Sequence, residues 1–248
     1  MLRTIIWFIY FWWTAAIPYP TLKRANRLKE EGKNQEYADL VEACTRKWSL
    51  GLLKKAGVTV QVQGLEHVPK NEPVLFVSNH QGNFDIPILI GCIPKYKGFI
   101  AKVELEKIPI ITTWMRHLQC VFMDRSNSRQ SVKSIIEGAN LLKSGHSMVV
   151  FPEGTRSMDG TMGEFKAGAL KLATRAKVNI VPVTISGSGK IMEKGSWLIR
   201  PQKVSLTIHP LFSTESYKDK DTQKLAEDVE TIIKRALLKR GIRLCNGL

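Results

Sequence analysis

Cysteine is scarce in this sequence: four cysteines occur among 248 residues, and none lie at Cys-x-x-Cys spacing. No cluster of cysteine and histidine resembles a zinc site. Disulfide scaffolds are therefore excluded, and we expect free thiols in a reducing compartment. Internal repeats and low-complexity linkers are also absent, which excludes solenoids and long disordered segments.

Acidic residues are in the minority. Lysine and arginine number 37 against 22 aspartates and glutamates, so the formal net charge is +15. Hydrophobic residues make up 44% and charged residues 24%, as in an ordinary globular chain with one large domain or two small ones. The positive surplus favours anionic partners such as nucleic acid, phospholipid headgroups or phosphorylated small molecules.

Charge is almost missing from residues 1–20, where Arg3 is the only charged residue among apolar and aromatic ones. The run is shorter than the ~20 residues that span a bilayer. A signal peptide would need a stronger basic start and fewer aromatics, although residues 14–16 offer a weak cleavage pattern. Because Trp and Tyr prefer the membrane interface, we predict a helix that lies in or enters one leaflet. A spanning helix and a buried core helix are the alternatives.

A basic cluster follows this apolar run. Such charges bind anionic lipid at about 1 kcal/mol each and favour the cytoplasmic side of a membrane. A solvated helix face is the alternative, since glutamates interleave. We therefore predict a membrane-associating helical segment over residues 1–56, apolar over 1–20 and basic over 21–56, on a peripheral or monotopic protein of the cytoplasmic membrane face. The basic residues are Lys23, Arg24, Arg27, Lys29 and Lys33.

Strand and helix patterns alternate along the rest of the chain. Residues 58–62 alternate strictly, as a half-buried strand does, and the apolar run 74–77 is typical of a buried strand. The pattern predicts an α/β domain over residues 57–248, with a layered central β-sheet flanked by helices and preceded by the membrane-interfacial segment. Further strands are predicted over 98–101, 120–123, 148–151, 180–185 and 204–208, and helices over 132–142, 165–177 and 225–237.

A histidine and an aspartate follow the second predicted strand. The Asp85 carboxylate can fix the tautomer of His80, whose other ring nitrogen is then free to take a proton from a substrate hydroxyl. Gly82 gives the intervening turn its freedom. Alternatively or in addition, Asp85 caps a helix that has Pro87 in its first turn. Residues 186–189 lack the first glycine of a nucleophile elbow, so we expect the substrate itself to be the nucleophile.

Two further strand ends carry arginines. In residues 151–157, Gly154 lets backbone N–H groups approach a ligand, Arg156 offers a planar fork for phosphate, and Glu153 can accept from a hydroxyl or from that arginine. A surface turn with an exposed ion pair is the alternative. Arg125 offers a second phosphate contact or a solvated charge. Pro182, inside an apolar run, indicates an edge strand or a bulge.

In order, these blocks resemble the four motifs of the glycerolipid acyltransferase family. His80 and Asp85 match its His-x4-Asp box, residues 121–125 its second block, and residues 181–183 its fourth. Residues 151–157 match the third block at every position. The resemblance runs from about residue 58 to 210; Asp124, directly before Arg125, departs from the pattern.

The resemblance implies acyl transfer from acyl-CoA or acyl-carrier protein to a lysophospholipid hydroxyl. Lysophosphatidate is the expected acceptor, and glycerol 3-phosphate or another lysophospholipid is the alternative. It further implies that His80 is the general base, that Asp85 orients it, and that no metal, prosthetic group or covalent acyl-enzyme takes part. The implied substrate-binding residues are Arg125, Glu153, Gly154, Thr155 and Arg156, with Lys102 as an additional phosphate contact.

Two other functions fit the charge. A non-enzymatic module that binds anionic lipid would use the N-terminal segment but would leave the His80–Asp85 pair without a purpose. A nucleic-acid-binding protein would need a helix-turn-helix, an RNP motif or a finger, and the sequence contains none of them. We therefore expect no specific nucleic-acid partner.

Overall fold

The computed structural model describes residues 1–16, 19–157, 161–218 and 221–245. Its centre is a seven-stranded sheet in the order β1-β7-β6-β2-β5-β3-β4. Neighbouring strands are parallel except β6 and β7, which are antiparallel. All seven predicted strands are confirmed. They are β1 (Val58–Gln63), β2 (Leu75–Ser78), β3 (Lys97–Lys102), β4 (Val121–Met123), β5 (Ser147–Val150), β6 (Ile180–Ser186) and β7 (Gln202–Ile208).

Helices cover both faces of the sheet, so the chain has the predicted layered α/β fold. The three helices predicted in the second half are confirmed as α6, α7 and α8. The described helices are α1 (Leu2–Ala16), α2 (Tyr19–Glu30), α3 (Asn34–Ala56), α4 (Asp85–Cys92), α5 (Pro109–His117), α6 (Ser128–Lys143), α7 (Ala167–Ala176) and α8 (Thr222–Cys245).

Alternate residues of the central strands belong to two separate apolar clusters. In β2, Phe76 packs with α1 to α4, whereas Leu75 and Val77 pack with α6 to α8. In β5, Val149 belongs to the first cluster and Met148 to the second. A strand buried on both faces reads as a continuous apolar run, which is why these strands could be predicted.

The N-terminal helix is both core and surface. Trp7 is buried, its ring lies 5.3 Å from that of Phe84, and its Nε1 donates to the Leu52 carbonyl at 3.0 Å. The alternative of a buried core helix therefore holds for this stripe, because it packs on α3 and on the residue before α4. The opposite stripe, which we call the outer face of α1, is exposed: Leu2, Ile5, Ile6, Ile9, Trp12 and Trp13.

No helix within the described ranges is both long enough and apolar enough to cross a membrane.

Pro182 lies in an interior strand, so the edge-strand interpretation is wrong and the bulge interpretation holds. Val183 pairs with Ile208, and the next pairing joins Ile180 to Phe212. The three residue intervals from 183 to 180 in β6 therefore lie opposite four residue intervals, from 208 to 212, in the paired segment. The extra residue lies beside Pro182, whose carbonyl accepts from the His209 backbone N–H at 2.9 Å.

Acid should destabilise the fold through His146. Burial lowers the pKa of this ring from 6.5 to about 4, against the opposing effect of its hydrogen bond to the Leu118 carbonyl. Between these two pH values the unfolded chain binds a proton that the folded chain does not. The free energy of unfolding therefore falls as the pH falls through this window, by at most about 1.4 kcal/mol per pH unit from this residue.

We predict that His146→Gln flattens this dependence, measured by urea unfolding at about pH 7 and about pH 5. If the free energy of unfolding changes equally with pH in the variant and the wild type, the His146 ring does not cause the pH dependence.

Candidate active site

The motif residues meet at one edge of the sheet. β2, β3, β4 and β5 are mutually parallel, so the segments that follow them emerge on the same side. His80 follows β2, Lys102 ends β3, Arg125 follows β4, and Glu153 follows β5. Sites of open α/β sheets form at the carboxyl ends of strands.

The Asp85 carboxylate is the most heavily bonded group of this edge. It is fully buried, and its Oδ2 lies 2.7 Å from His80 Nδ1. The same oxygen accepts from the backbone N–H groups of Gln81 at 2.7 Å and Gly82 at 2.9 Å. The Ser188 hydroxyl donates to Oδ1. The two backbone N–H groups and the Ser188 hydroxyl donate, which fits an ionised carboxylate, and such a carboxylate favours the His80 tautomer with its proton on Nδ1.

These bonds change the role expected of Asp85 in its helix. α4 does begin at Asp85 with Pro87 in its first turn, but the N-cap residue is Phe84 and no side chain caps the helix. The carboxylate turns back to the preceding turn, where His80 and the two backbone donors lie. The N-cap interpretation of Asp85 is therefore wrong.

Close backbone approach explains the glycines of this turn. A Cβ at Gly82 would lie 3.3 Å from the Gly189 Cα, and a Cβ at Gly189 would lie 3.2 Å from the Gln81 carbonyl oxygen. Gly82 therefore allows the turn to pack against residues 187–189. The Gln81 side chain accepts from the Gly187 backbone N–H at 2.9 Å in the same contact.

Asn79 fastens the end of β2 to β6. Its side-chain amide donates to the Ile185 carbonyl and accepts from the Ile185 backbone N–H, both at 2.8 Å. This pair of bonds continues the sheet contact one residue beyond β2. It holds the start of the His80 turn beside the segment that carries Ser188.

Glu153 holds the main chain of His80. Its Oε1 accepts from the His80 backbone N–H and its Oε2 from the Gly163 backbone N–H, both at 2.7 Å. Burial raises the pKa of this carboxyl, and the two backbone donors oppose that effect. The ring of Phe151 stacks on the His80 ring at a centroid distance of 4.1 Å. Residues 151–157 thus hold both the backbone and the ring of His80.

The remaining residues of this block lie nearer to solvent. Arg156 is half-buried and its Nη1 donates to the Asn83 side chain at 3.0 Å, so it lies against the His80 turn. Gly154 has a positive φ of 74°, a conformation that favours glycine, and Thr155 is exposed. The interpretation of this segment as an isolated surface turn is therefore wrong.

Lys102 and Arg125 are exposed at the ends of adjacent strands. Lys102 Nζ lies 2.6 Å from Glu104 Oε1, in a pair whose side chains are more than half exposed. Asp124 uses Oδ1 to accept from the Ser126 backbone at 2.9 Å and hydroxyl at 2.6 Å. Within the described part of the chain it forms no ion pair with Arg125, so this arginine keeps its charge available.

Sequence reasoning missed three side chains of this site: Asn79, Gln81 and Ser188. Gln81 and Ser188 belong to different segments that meet only in the folded chain. The sequence excludes a nucleophile elbow at residues 186–189. Their Ser-Gly-Ser-Gly composition instead indicates a close backbone contact, and this is the signal that could have found Ser188.

The structure is therefore a layered α/β fold with a His–Asp pair at its strand ends, an arrangement that can accept a proton from a hydroxyl. The chain belongs to the acyltransferase family, whose family model matches residues 59–186. That range contains β2 to β6, all of β1 except Val58, and every site residue named above except those in residues 187–189.

Two relatives and one solved structure support this assignment. A probable 1-acyl-sn-glycerol-3-phosphate acyltransferase of Mycoplasma pneumoniae is 38% identical over 70% of this chain and 69% of its own length. The chloroplastic 1-acyl-sn-glycerol-3-phosphate acyltransferase BAT2 of Brassica napus is 37% identical over 69% of this chain, which spans about half (51%) of that protein. The crystal structure of the 1-acyl-sn-glycerophosphate (LPA) acyltransferase PlsC of Thermotoga maritima superposes with a TM-score of 0.79 at 30% identity, covering 96% of this chain and 97% of that one.

We predict that Ser188→Ala lowers kcat roughly tenfold and changes KM little. A hydrogen bond to a charged group contributes about 1.5–3 kcal/mol, and a loss of 1.4 kcal/mol in the transition state is tenfold in rate. Steady-state rates of acyl transfer measure the effect. Ser186→Ala is the matched control, because this neighbouring serine is half-buried and does not contact Asp85. Equal rates for both variants would contradict the role given to Ser188.

Proposed function

We propose that this enzyme transfers a fatty acyl group from a thioester, acyl-CoA or acyl-carrier protein, to the free sn-2 hydroxyl of 1-acyl-sn-glycerol 3-phosphate, giving phosphatidic acid for phospholipid synthesis. The observation that carries the proposal is the 2.7 Å bond between His80 Nδ1 and the buried Asp85. The names of the two relatives and of the solved structure support the choice of acceptor.

In the proposed mechanism His80 Nε2 takes the proton of the acceptor hydroxyl. The hydroxyl oxygen forms a bond to the thioester carbonyl carbon, the carbon–sulfur bond breaks, and the departing thiolate takes the proton from the imidazolium. Asp85 stabilises the imidazolium and keeps Nε2 toward the substrate. The proposed steps use only side chains of this protein and the two substrates, and the proposal requires no metal or prosthetic group.

The acceptor phosphate is assigned to the cations of the same sheet edge. Arg156 lies against the His80 turn through Asn83, which favours it as the nearest contact. The Gly154 backbone N–H donates to the Phe151 carbonyl at 3.1 Å, so Gly154 contributes through the shape of the turn and Thr155 through its backbone N–H group. Lys102 and Arg125 add charge from the neighbouring strand ends. Glu153 contributes by holding this segment and His80 in register.

The lipid substrate also gives the N-terminal segment a purpose. The outer face of α1 is apolar and exposed, and the exposed charges of α2 include Lys23, Arg24 and Lys29. This arrangement supports a peripheral or monotopic protein on the cytoplasmic face of the cell membrane, bound to anionic lipid. Because the opposite stripe of α1 is buried, the helix is a part of the fold rather than a detachable anchor.

A thiol-release assay tests the reaction. We predict that the purified protein in detergent releases thiol from palmitoyl- or oleoyl-CoA only when lysophosphatidate is added, and that His80→Ala abolishes the release. Folding of the variant is checked by circular dichroism.

The other results of this assay are informative. Release without lysophosphatidate would indicate a thioesterase and overturn the proposed mechanism. Failure with CoA thioesters leads to the same assay with acyl-carrier protein as donor. Failure with both donors would favour the alternative of a non-enzymatic protein that binds anionic lipid, and release with glycerol 3-phosphate or another lysophospholipid instead would correct the acceptor.

Arg156 is expected to bind the acceptor and not the donor. We predict that Arg156→Ala raises the acceptor KM roughly ten- to a hundredfold and leaves the donor KM nearly unchanged, since a charge-assisted hydrogen bond contributes about 1.5–3 kcal/mol. Initial rates with each substrate varied in turn measure both constants. Arg156→Lys, which keeps the charge without the planar fork, should give an intermediate value. Equal increases in both KM values would contradict a phosphate contact.

A further inference from the structure

An exposed aromatic residue outside α1 adjoins the outer face of this helix. Trp197 lies in the connection between β6 and β7 and is 74% exposed. Its ring lies 5.9 Å from that of Phe8, and the backbone N–H of Ile199 donates to the Thr4 hydroxyl at 3.0 Å. This connection therefore runs beside the N-terminal half of α1 and widens its apolar surface.

Trp197 and the outer face of α1 form one contiguous apolar surface rather than a set of scattered exposed residues. Leu2, Ile5, Ile9 and Trp12 lie three or four positions apart along α1, and Ile6 and Trp13 lie three and four positions from Ile9, so the outer face is one side of the helix. Ile9 is 64% exposed and Trp13 is 68% exposed. Contiguous exposed apolar surface of this kind marks a place of contact with a partner or a membrane.

Two contacts connect the elements that carry this surface to the His80 turn. On the inner side of α1, the Trp7 ring contacts Phe84, the residue directly before Asp85. In the connection that carries Trp197, the Met192 sulfur lies 3.8 Å from the side-chain nitrogen of Asn83. Asn83 also binds Arg156, so the surface adjoins the residues assigned to the acceptor phosphate.

The charges around Trp197 are complementary to an anionic membrane. Lys190 and Lys194 lie on the same connection and are exposed. Its one acidic residue, Glu193, pairs with Arg200 at 3.1 Å, which cancels its charge. Basic residues beside tryptophan are the composition expected at the headgroup level of a bilayer.

We propose that Trp197 inserts into the headgroup region of an anionic bilayer and, with the outer face of α1, forms one lipid-contacting surface from which the acceptor reaches His80. The inference rests on the proposed function, because only a lipid substrate requires the catalytic turn to lie beside such a surface. Trp197 acts through positioning of the enzyme on the membrane and does not contact the reacting atoms.

Vesicle binding tests the insertion without any activity measurement. The full chain is mixed with sedimentable vesicles of phosphatidylcholine, with and without phosphatidylglycerol. We expect Trp197→Ala to weaken binding to the anionic vesicles roughly tenfold, since the variant loses a large apolar side chain that the bilayer would bury. Lipids brominated near the headgroup should quench the fluorescence of the wild type more than that of Trp197→Phe. Ile136→Ala, which shortens an exposed apolar residue of α6, is the matched control and should bind as the wild type does.

An activity comparison separates positioning from damage to the site. Trp197→Ala should lose rate with lysophosphatidate embedded in vesicles and keep it with a short-chain, monomeric lysophosphatidate. Equal loss with both acceptors, or unchanged vesicle binding and quenching, would overturn the proposal. If Trp197→Ala instead dissociates a dimer in sedimentation without lipid, the surface binds a second copy of the chain and the proposal is wrong. If the protein binds vesicles through Trp197 but transfers no acyl group, the membrane surface stands and the proposed reaction fails.

Discussion

The Asp85 carboxylate is the constraint on which the site depends. A buried ionised carboxylate is costly unless donors surround it, and here every donor comes from a loop. His80 and the backbone of residues 81 and 82 approach from the turn after β2, and Ser188 approaches from the segment after β6. Satisfying this one charge therefore brings two separate segments together and fixes the orientation of the His80 ring.

A second buried carboxylate completes the arrangement from the other side. Glu153 binds the backbone N–H of His80, while Asp85 binds its side chain. One carboxylate follows β5 and the other begins α4, so the histidine is held between neighbouring strands β2 and β5. In the proposed role of His80 as a base, fixing both its main chain and its ring reduces the entropy lost when substrate binds, which favours proton transfer.

The sequence predicted the strands and the site residues for different reasons. The strands could be predicted because their burial on both faces produces short apolar runs, and His80, Glu153 and Arg156 because each follows such a run. Asp85 and Pro87 indicate where α4 begins, whereas no pattern predicts α5, since a short helix gives few turns in which a pattern can repeat. The role of Ser188 could not be predicted either, because its partner lies 103 positions away and only the β6–β2 pairing brings them together.

The N-terminal helix shows why composition alone could not decide between core and membrane. Its sequence is apolar all round, which is typical of a helix that is buried or in lipid. The fold buries Trp7 in the core and leaves Ile9 and Trp13 exposed. One side of the helix therefore packs against the protein, and the other side is open. A helix bound to the protein on one side can position the catalytic turn only if it is rigid, and the Trp7 bond to the Leu52 carbonyl supplies that rigidity. The apolar surface on the other side then lies at a fixed height relative to His80. The proposed membrane contact and the geometry of the His80 turn are thus linked through the buried side of α1, where Trp7 contacts Phe84.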